Sequence, residues 1–192
     1  MTLELLAFEG VACVRGGRTL FEGLSFALAP GEALLVTGAN GAGKSSLVRI
    51  AAGLLQPAAG TVRRGLLPAL LAEQAALDPE LPLAEALAYW MGIDGRGGVA
   101  EARLALGWFQ LAHLAEVAVR YLSTGQRRRA GLARVFAAGK PLWLLDEPAN
   151  GLDAESVRVL EARLMQHRAA GGAALVATHL PIALPDAREI AL

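Results

Sequence analysis

The chain has 192 residues, enough for one domain whose core needs neither disulfides nor metals. Its 18 basic and 18 acidic side chains cancel, so no net basic field favours nucleic acid as a partner. No run of about 18 apolar residues could span a bilayer, and we expect any membrane role to come from a partner. The early Glu4 argues against a secretory signal, and the lone Cys13 excludes an internal disulfide, so we predict a cytoplasmic protein.

The first third of the chain predicts strands separated by turns. Glycine-rich breaks divide short apolar runs at residues 3–8, 11–14 and 24–28, which is typical of an antiparallel sheet. A continuous apolar run at residues 33–37 predicts a strand buried on both faces, and a helix follows at residues 45–52 until Gly53 ends it. Further strands are predicted at residues 61–63 and 66–71.

The rest of the chain predicts alternating helices and strands. Apolar patterns indicate helices at residues 82–91, 99–109 and 111–119, within a small helical subdomain at approximately residues 75–135. Helices at 123–138 and 153–170 then alternate with strands at 142–145 and 174–178, and residues 188–192 suit an edge strand. This alternation implies parallel βαβ crossovers. We therefore predict a single α/β domain over residues 1–192, with an antiparallel N-terminal sheet and a helical insertion.

A glycine-rich loop at residues 38–45 follows the pattern G-x-x-x-x-G-K-[ST] between a predicted strand and a predicted helix, the context in which it predicts a phosphate site. Its glycines let backbone N–H groups converge on phosphate oxygens, and the helix N-terminus adds partial positive charge. The lysine is expected to reach the β- and γ-phosphates, and the serine hydroxyl to bind Mg²⁺. The predicted nucleotide-binding residues here are Gly38, Ala39, Asn40, Gly41, Ala42, Gly43, Lys44, Ser45 and Ser46.

Two acidic residues, Asp146 and Glu147, end an apolar strand at the sheet edge where ligands of open α/β sheets gather. Asp146 is predicted to hold Mg²⁺ through water, and Glu147 to polarise the attacking water as general base. Acidic residues also end strands simply to start the next helix. The phosphate loop earlier in the chain favours the catalytic interpretation.

Residues 122–126 read Leu-Ser-Thr-Gly-Gln immediately before an arginine-rich helix. Ser123 and Gln126 are spaced for a capping box, and a capped helix N-terminus with the free amide of Gly125 is also an anion site. Both interpretations hold together. The three arginines at positions 127–129 are too few for a nucleic-acid patch, and we predict a solvated helix face there.

Two further polar residues follow predicted strands. His179 is suited to contact a phosphate and the attacking water at once, although an isolated histidine is more often structural. Gln74 is the least specific candidate for reaching Mg²⁺ or that water.

Together these residues resemble the ABC ATPase family of P-loop NTPases over almost the whole chain. Residues 38–45 match its Walker A loop, Gln74 its Q-loop, residues 122–126 its signature, residues 142–147 its Walker B strand, residues 150–153 its D-loop and His179 its switch histidine. Their order and approximate spacing agree with the family. The resemblance implies an ABC-type core with an antiparallel β-subdomain and a helical subdomain, and an activity that hydrolyses Mg-ATP.

The resemblance also implies roles for individual residues in a head-to-tail dimer. Each ATP would lie between residues 38–45 of one chain and Ser123, Gly125 and Gln126 of a second copy. Glu147 and His179 would be catalytic. The metal would be held by three side chains: Ser45, Gln74 and Asp146.

Two residues depart from the family pattern. Thr124 stands where the signature usually has glycine, and we expect its β-branched side chain to crowd the γ-phosphate and slow turnover. The aromatic residue that usually stacks on adenine falls near Arg15, whose planar guanidinium is expected to stack instead. This departure leaves the selectivity for the base open.

Within the family, the short chain, Ser-Thr-Gly-Gln-Arg-Arg-Arg at 123–129 and His-Leu-Pro at 179–181 resemble the ATP-binding subunits of haem exporters in bacterial cytochrome c maturation. The resemblance implies a peripheral position on the cytoplasmic face of the inner membrane, integral permease subunits as partners, and ATP hydrolysis that drives release of a haem-loaded chaperone. His113 and His167 are isolated, so no direct haem binding is expected. The alternatives are an ABC transporter with another cargo, a soluble ABC protein without a membrane partner, and an inactive nucleotide-gated scaffold.

Overall fold

The computed structural model describes residues 4–73 and 75–192. The first of its two sheets is antiparallel and contains β1 (Leu6–Arg15), β2 (Arg18–Leu28) and β4 (Ala59–Arg64), in the spatial order β2-β1-β4. The predicted strands at 3–8 and 11–14 are therefore one strand, because the chain continues pairing past Gly10 with a shift in register between Phe8 and Val11. Gly10 has a φ of 59°, which accounts for the irregularity without ending the strand.

The second sheet has five parallel strands. They are β3 (Ala33–Thr37), β5 (Ala69–Leu71), β6 (Leu142–Asp146), β7 (Ala173–Ala177) and β8 (Arg188–Ala191), and their spatial order is β5-β6-β7-β3-β8. Every residue of β6 and β7 is buried, as expected for parallel strands covered on both faces. The predicted edge strand near the end of the chain is confirmed, since β8 pairs with β3.

The described residues form five α-helices: α1 (Lys44–Ala51), α2 (Leu83–Ile93), α3 (Val99–Gly107), α4 (Thr124–Ala137) and α5 (Ala154–Ala169). Helix α1 lies between the two sheets, where it contacts β1, β4, β6 and β7. Helices α2, α3 and α4 pack against one another, and α5 contacts β7 and α4. Among the described residues, no helix has the length and apolar character needed to cross a bilayer.

One predicted element is wrong, and another is predicted too long. Residues 111–119 contain a short 3-10 turn at Ala112–Leu114, and another follows at Val119–Tyr121. The carbonyls of Ala115 and Val117 accept hydrogen bonds from the first N–H groups of α2 instead of extending a helix of their own. The strand predicted at 66–71 begins only at Ala69, because Pro68 has no N–H to donate to a ladder.

The apolar core has two parts, one on each face of the parallel sheet. Along β6, Leu142 and Leu144 face the cluster around α1 and the antiparallel sheet, whereas Trp143 and Leu145 face the cluster beneath the helices. Strand β6 is therefore fixed from both faces. The polar residue at its carboxyl end, Asp146, is held in a well-defined position at the edge of the sheet.

Candidate active site

The predicted phosphate loop connects β3 to α1, and its glycines adopt conformations that other residues avoid. Gly38, Gly41 and Gly43 have φ values of 142°, 82° and 115°. A Cβ on Gly43 would lie 3.1 Å from the Cβ of Leu20, and one on Gly38 would lie 2.7 Å from a backbone oxygen of Leu192. Both the dihedral angles and the close approaches therefore require glycine. Helix α1 starts with no side-chain cap and no acid in its first turn, so its N–H groups are available to an anion.

The Lys44 side chain folds back across this loop. Its ammonium donates to the carbonyls of Gly38 at 2.8 Å and Ala39 at 3.2 Å, and it lies 3.2 Å from Oε1 of Glu147. The side chain is only 5% exposed. One cation thus connects the phosphate loop to the carboxylate that follows β6.

Glu147 is held at both its backbone and its carboxylate. Its φ of 49° places it in the left-handed region, which is uncommon for a residue other than glycine. Its N–H donates to the carbonyl of Ala177 at the end of β7, at 2.7 Å. Its Oε2 accepts the backbone N–H of His179 at 3.2 Å and lies 2.8 Å from Nδ1 of the same residue. The structure therefore brings the three predicted residues Lys44, Glu147 and His179 into one network.

Ser45 and Asp146 form the part of the site that fits a divalent cation. The Ser45 hydroxyl donates to Oδ1 of Asp146 at 3.0 Å. Burial raises the pKa of Asp146, and the hydrogen bond from Ser45 opposes that shift. A hydroxyl beside a carboxylate supplies the hard oxygen ligands that suit Mg²⁺. Within residues 4–73 and 75–192, no three His, Cys, Asp or Glu side chains cluster as a metal site.

A cavity of about 1010 Å³ lies over these groups. Its volume is at the upper end of the usual range for small-molecule sites. Among the predicted residues, its lining includes Arg15, Asn40, Gly41, Gly43, Lys44, Ser45, Ser46, Asp146, Glu147 and His179. Glu73, Asn150, Thr124 and Arg127 also line it, and sequence reasoning assigned no ligand contact to Glu73 or Arg127. Gln74, the predicted Q-loop residue, lies outside the described residues.

The start of α4 is capped as predicted. The Ser123 hydroxyl accepts the N–H of Gln126 at 3.2 Å, and Oε1 of Gln126 accepts the N–H of Ser123 at 2.8 Å. Ser123, Gly125 and Gln126 are not part of the lining of the cavity, whereas Thr124 is. Their expected contact with the nucleotide of a second copy stays a prediction.

The solvated face predicted for residues 127–129 is wrong for Arg128. Arg127 is exposed, but Arg128 is 8% exposed and its guanidinium donates to backbone carbonyls on two other segments. A signal for this was present in the sequence. Arg128, Leu132 and Val135 follow the spacing i, i+4, i+7, so the arginine lies on the same face of α4 as two core residues.

Comparisons with known proteins agree with this geometry. The family model described as ABC transporter matches residues 21–150. The chain belongs to the ABC transporter family of ATP-binding proteins. The prediction of an ABC-type ATPase is thereby confirmed.

Curated relatives place this ABC protein in one branch of the family. A protein of Sphingopyxis alaskensis named "Cytochrome c biogenesis ATP-binding export protein CcmA" is 56% identical over 189 residues, which are 98% of this chain and 96% of the relative. A protein of Novosphingobium aromaticivorans with the same name is 52% identical over 187 residues, 97% of this chain and 95% of the relative. The predicted likeness to ATP-binding subunits of cytochrome c biogenesis is confirmed.

Solved structures of ABC proteins confirm the predicted α/β fold class. The structure of an ATP-binding subunit of an ABC transporter has a TM-score of 0.82 at 27% identity and covers 92% of this chain and 80% of its own. A putative ABC transporter ATP-binding protein from Pyrococcus furiosus has a TM-score of 0.83 and covers 97% and 96%. At 17% sequence identity, this likeness supports the shared fold only.

Proposed function

We propose that this chain binds and hydrolyses ATP as one subunit of a membrane-bound export complex in cytochrome c biogenesis, and that hydrolysis drives release of a haem-loaded chaperone. The observation that supports the hydrolytic step most directly is the network of Lys44, Glu147 and His179 beside the phosphate loop. The names of the 52–56% identical relatives support the export role. All 192 residues would form one ATP-binding domain, with approximately residues 75–135 as a subdomain that contacts the permease.

The phosphates of ATP would be bound by the backbone N–H groups of the loop, the N-terminus of α1 and Lys44. In the described arrangement the Lys44 ammonium is engaged by Glu147 at 3.2 Å. A γ-phosphate carries more negative charge than one carboxylate, so it would attract this ammonium and free Oε1 of Glu147. The loop thus binds the nucleotide and simultaneously releases the base.

Glu147 would then accept the proton of the attacking water at Oε1. Its Oε2 stays fixed by the N–H and the ring of His179, so the carboxylate keeps its orientation while the free oxygen faces the water. His179 would also contact the γ-phosphate. Ser45 and Asp146 would hold Mg²⁺, which when bound neutralises charge on the phosphate oxygens.

A second copy of the chain would complete the nucleotide-binding site. Ser123, Gly125 and Gln126 lie at the N-terminus of α4, where backbone N–H groups and the helix dipole favour an anion. We propose that they close over the ATP held by residues 38–45 of the other copy, in a head-to-tail dimer. Arg15, which lines the cavity, would stack on the adenine.

The test is to purify tagged Glu147→Gln protein with ATP from solubilised membranes and to identify its partners by mass spectrometry. Glu147→Gln should bind ATP without turning it over and recover integral permease subunits together with a haem chaperone. Lys44→Ala is the matched control, since it should bind no ATP and recover no nucleotide-dependent partner. Recovery of other permeases would keep the transporter assignment and indicate a cargo other than haem. Purely soluble partners would overturn the membrane assignment.

A further inference from the structure

Arg128 is a buried cation whose role is not explained by ion pairing. It is 8% exposed, and among the described residues no carboxylate oxygen lies within 4.0 Å of its guanidinium. Burial lowers the pKa of Arg128, and this shift reflects the energetic cost of its charged form in the interior. Its Nε is buried with no partner among those residues. Neutralisation of a nearby negative charge therefore does not explain why an arginine occupies this buried position.

The guanidinium instead connects two segments through backbone carbonyls. One terminal nitrogen, Nη1, donates to the carbonyls of Ala72 at 2.7 Å and Glu73 at 3.4 Å, directly after β5. The other, Nη2, donates to the carbonyls of Asp146 and Glu147 at the end of β6, the latter at 2.5 Å. A planar fork with two diverging N–H groups can bridge two segments in this way. Arg128 itself belongs to α4, so three elements meet at one side chain.

One of these carbonyls belongs to the residue proposed as the general base. Glu147 adopts a left-handed φ of 49°, which costs energy unless the surroundings hold it there. Its N–H is bound by Ala177 and its carbonyl by Arg128, so both sides of the residue are fixed. Rotation of the Glu147 backbone would redirect the carboxylate away from Lys44 and His179. The bond from Arg128 therefore helps to set the backbone from which the carboxylate reaches Lys44 and His179.

We infer that Arg128 is a positioning residue that sets the orientation of Glu147 and links it to the segment after β5 and to the first turns of α4. The inference rests on the proposed hydrolytic function, and it assigns a positioning role to an arginine that lines the cavity but donates its hydrogen bonds to backbone carbonyls. Movement of residues 72–73 or of α4 would be transmitted to the general base through this one guanidinium. Ser123 caps the N-terminus of α4, so the segment proposed to contact the second nucleotide is joined through this helix to the first site.

The experiment compares Arg128→Met and Arg128→Lys in the full chain with Arg158→Met, an exposed arginine of α5. For Arg128→Met we expect kcat to fall about 10- to 100-fold while the KM for ATP changes less than about 3-fold, since the base is misdirected and the phosphate loop is intact. Arg128→Lys should recover part of the loss, because an ammonium can reach one pair of carbonyls but not both. Arg158→Met should leave both constants unchanged.

A double-mutant cycle tests whether Arg128 acts through Glu147. In a Glu147→Gln background, Arg128→Met should lower the residual turnover less than about 2-fold, because the group that it orients is already lost. Equal effects in both backgrounds would overturn the inference, and so would a KM that rises as much as kcat falls. If Arg128→Met does not fold, the same cycle is run with Arg128→Lys and decides the question in the same way.

Hydrogen exchange separates this inference from the proposed function. Without nucleotide, the amides of Glu147, Ala149 and Asn150 should exchange faster in Arg128→Met than in the unsubstituted chain, since the carbonyl of Glu147 that accepts the N–H of Asn150 is no longer held. Lack of ATP hydrolysis by the unsubstituted chain would refute the proposed function alone. Equal exchange rates in the two proteins would refute the role of Arg128.

Discussion

Replacement of Glu147 by glutamine separates the two roles that the structure gives to this carboxylate. As a general base, it contributes about 10²- to 10⁴-fold to the rate, so Glu147→Gln should lower kcat at least about 100-fold. As a partner of Lys44 at 3.2 Å, it also competes with the γ-phosphate for the ammonium. An amide carries no charge, so the same substitution should release Lys44 and improve ATP binding.

The size of the second effect follows from the burial of the pair. The gross Coulomb attraction at 3.2 Å is about 5 kcal/mol at an effective dielectric constant of 20. Desolvation and side-chain ordering cancel most of this, and Glu147 is still 18% exposed, so a net value of about 1 kcal/mol is expected. This corresponds to a dissociation constant for ATP that is lower by about 5-fold.

The assay combines single-turnover hydrolysis with titration of a non-hydrolysable ATP analogue by calorimetry. Glu22→Gln, an exposed carboxylate of β2, is the matched control and should change neither quantity. Light scattering should show an ATP-bound dimer of Glu147→Gln that persists because turnover is blocked. Hydrolysis at the unsubstituted rate would remove the base role of Glu147. Weaker binding of the analogue would refute the competition between carboxylate and phosphate for Lys44.

Three further predictions concern the loop, the adenine contact and the core. Gly43→Ala should lower the free energy of unfolding in urea by about 1–3 kcal/mol and weaken ATP binding. The reason is that φ at this position is 115° and a Cβ would lie 3.1 Å from the Cβ of Leu20. Equal stability of the two proteins would refute the close contact. Arg15→Ala should weaken ATP binding about 3- to 5-fold in the same calorimetric titration, and Arg15→Tyr should restore it, unless the adenine lies elsewhere. His167, which stacks on Trp143, has a pKa lowered by burial. Its contribution to stability is therefore present at neutral pH and lost as the pH falls below about 6.5 towards the folded-state pKa. Melting temperatures of His167→Phe should fall less than those of the unsubstituted chain between pH 7.5 and pH 5.5, and parallel curves would contradict this.

Most elements of the fold could be predicted from local sequence patterns. The apolar runs at β3, β6 and β7 and the capping residue Ser123 predicted their elements because each pattern depends on neighbouring residues alone. The failures have non-local causes. Residues 111–119 carry an apolar pattern suited to a helix, but the N-terminus of α2 takes their carbonyls, and nothing in the local sequence reports that contact.

The candidate site shows the same division. The phosphate loop and the acids after β6 were recognisable from residue type and spacing, and the structure places Lys44, Ser45, Asp146 and Glu147 around one cavity. The ion pair between Lys44 and Glu147 was not predictable from local patterns. The two residues follow different strands, and only the spatial order of those strands brings them together. Arg128 was wrongly predicted to be solvated because its neighbours are charged. Its spacing from Leu132 places it on the buried face of α4.

The stack of Trp143 on His167 makes β6 a strand with its own optical reporter. The two rings lie 3.7 Å apart at an angle of 5°, and Phe136 covers the other face of the indole at 4.4 Å. Asp146 ends the same strand only three residues further on. Strain that ligands impose on that end would change the overlap of the rings and hence the emission of the indole. With Trp90 and Trp108 replaced by phenylalanine, the fluorescence of this single tryptophan would follow nucleotide binding and turnover without any attached dye.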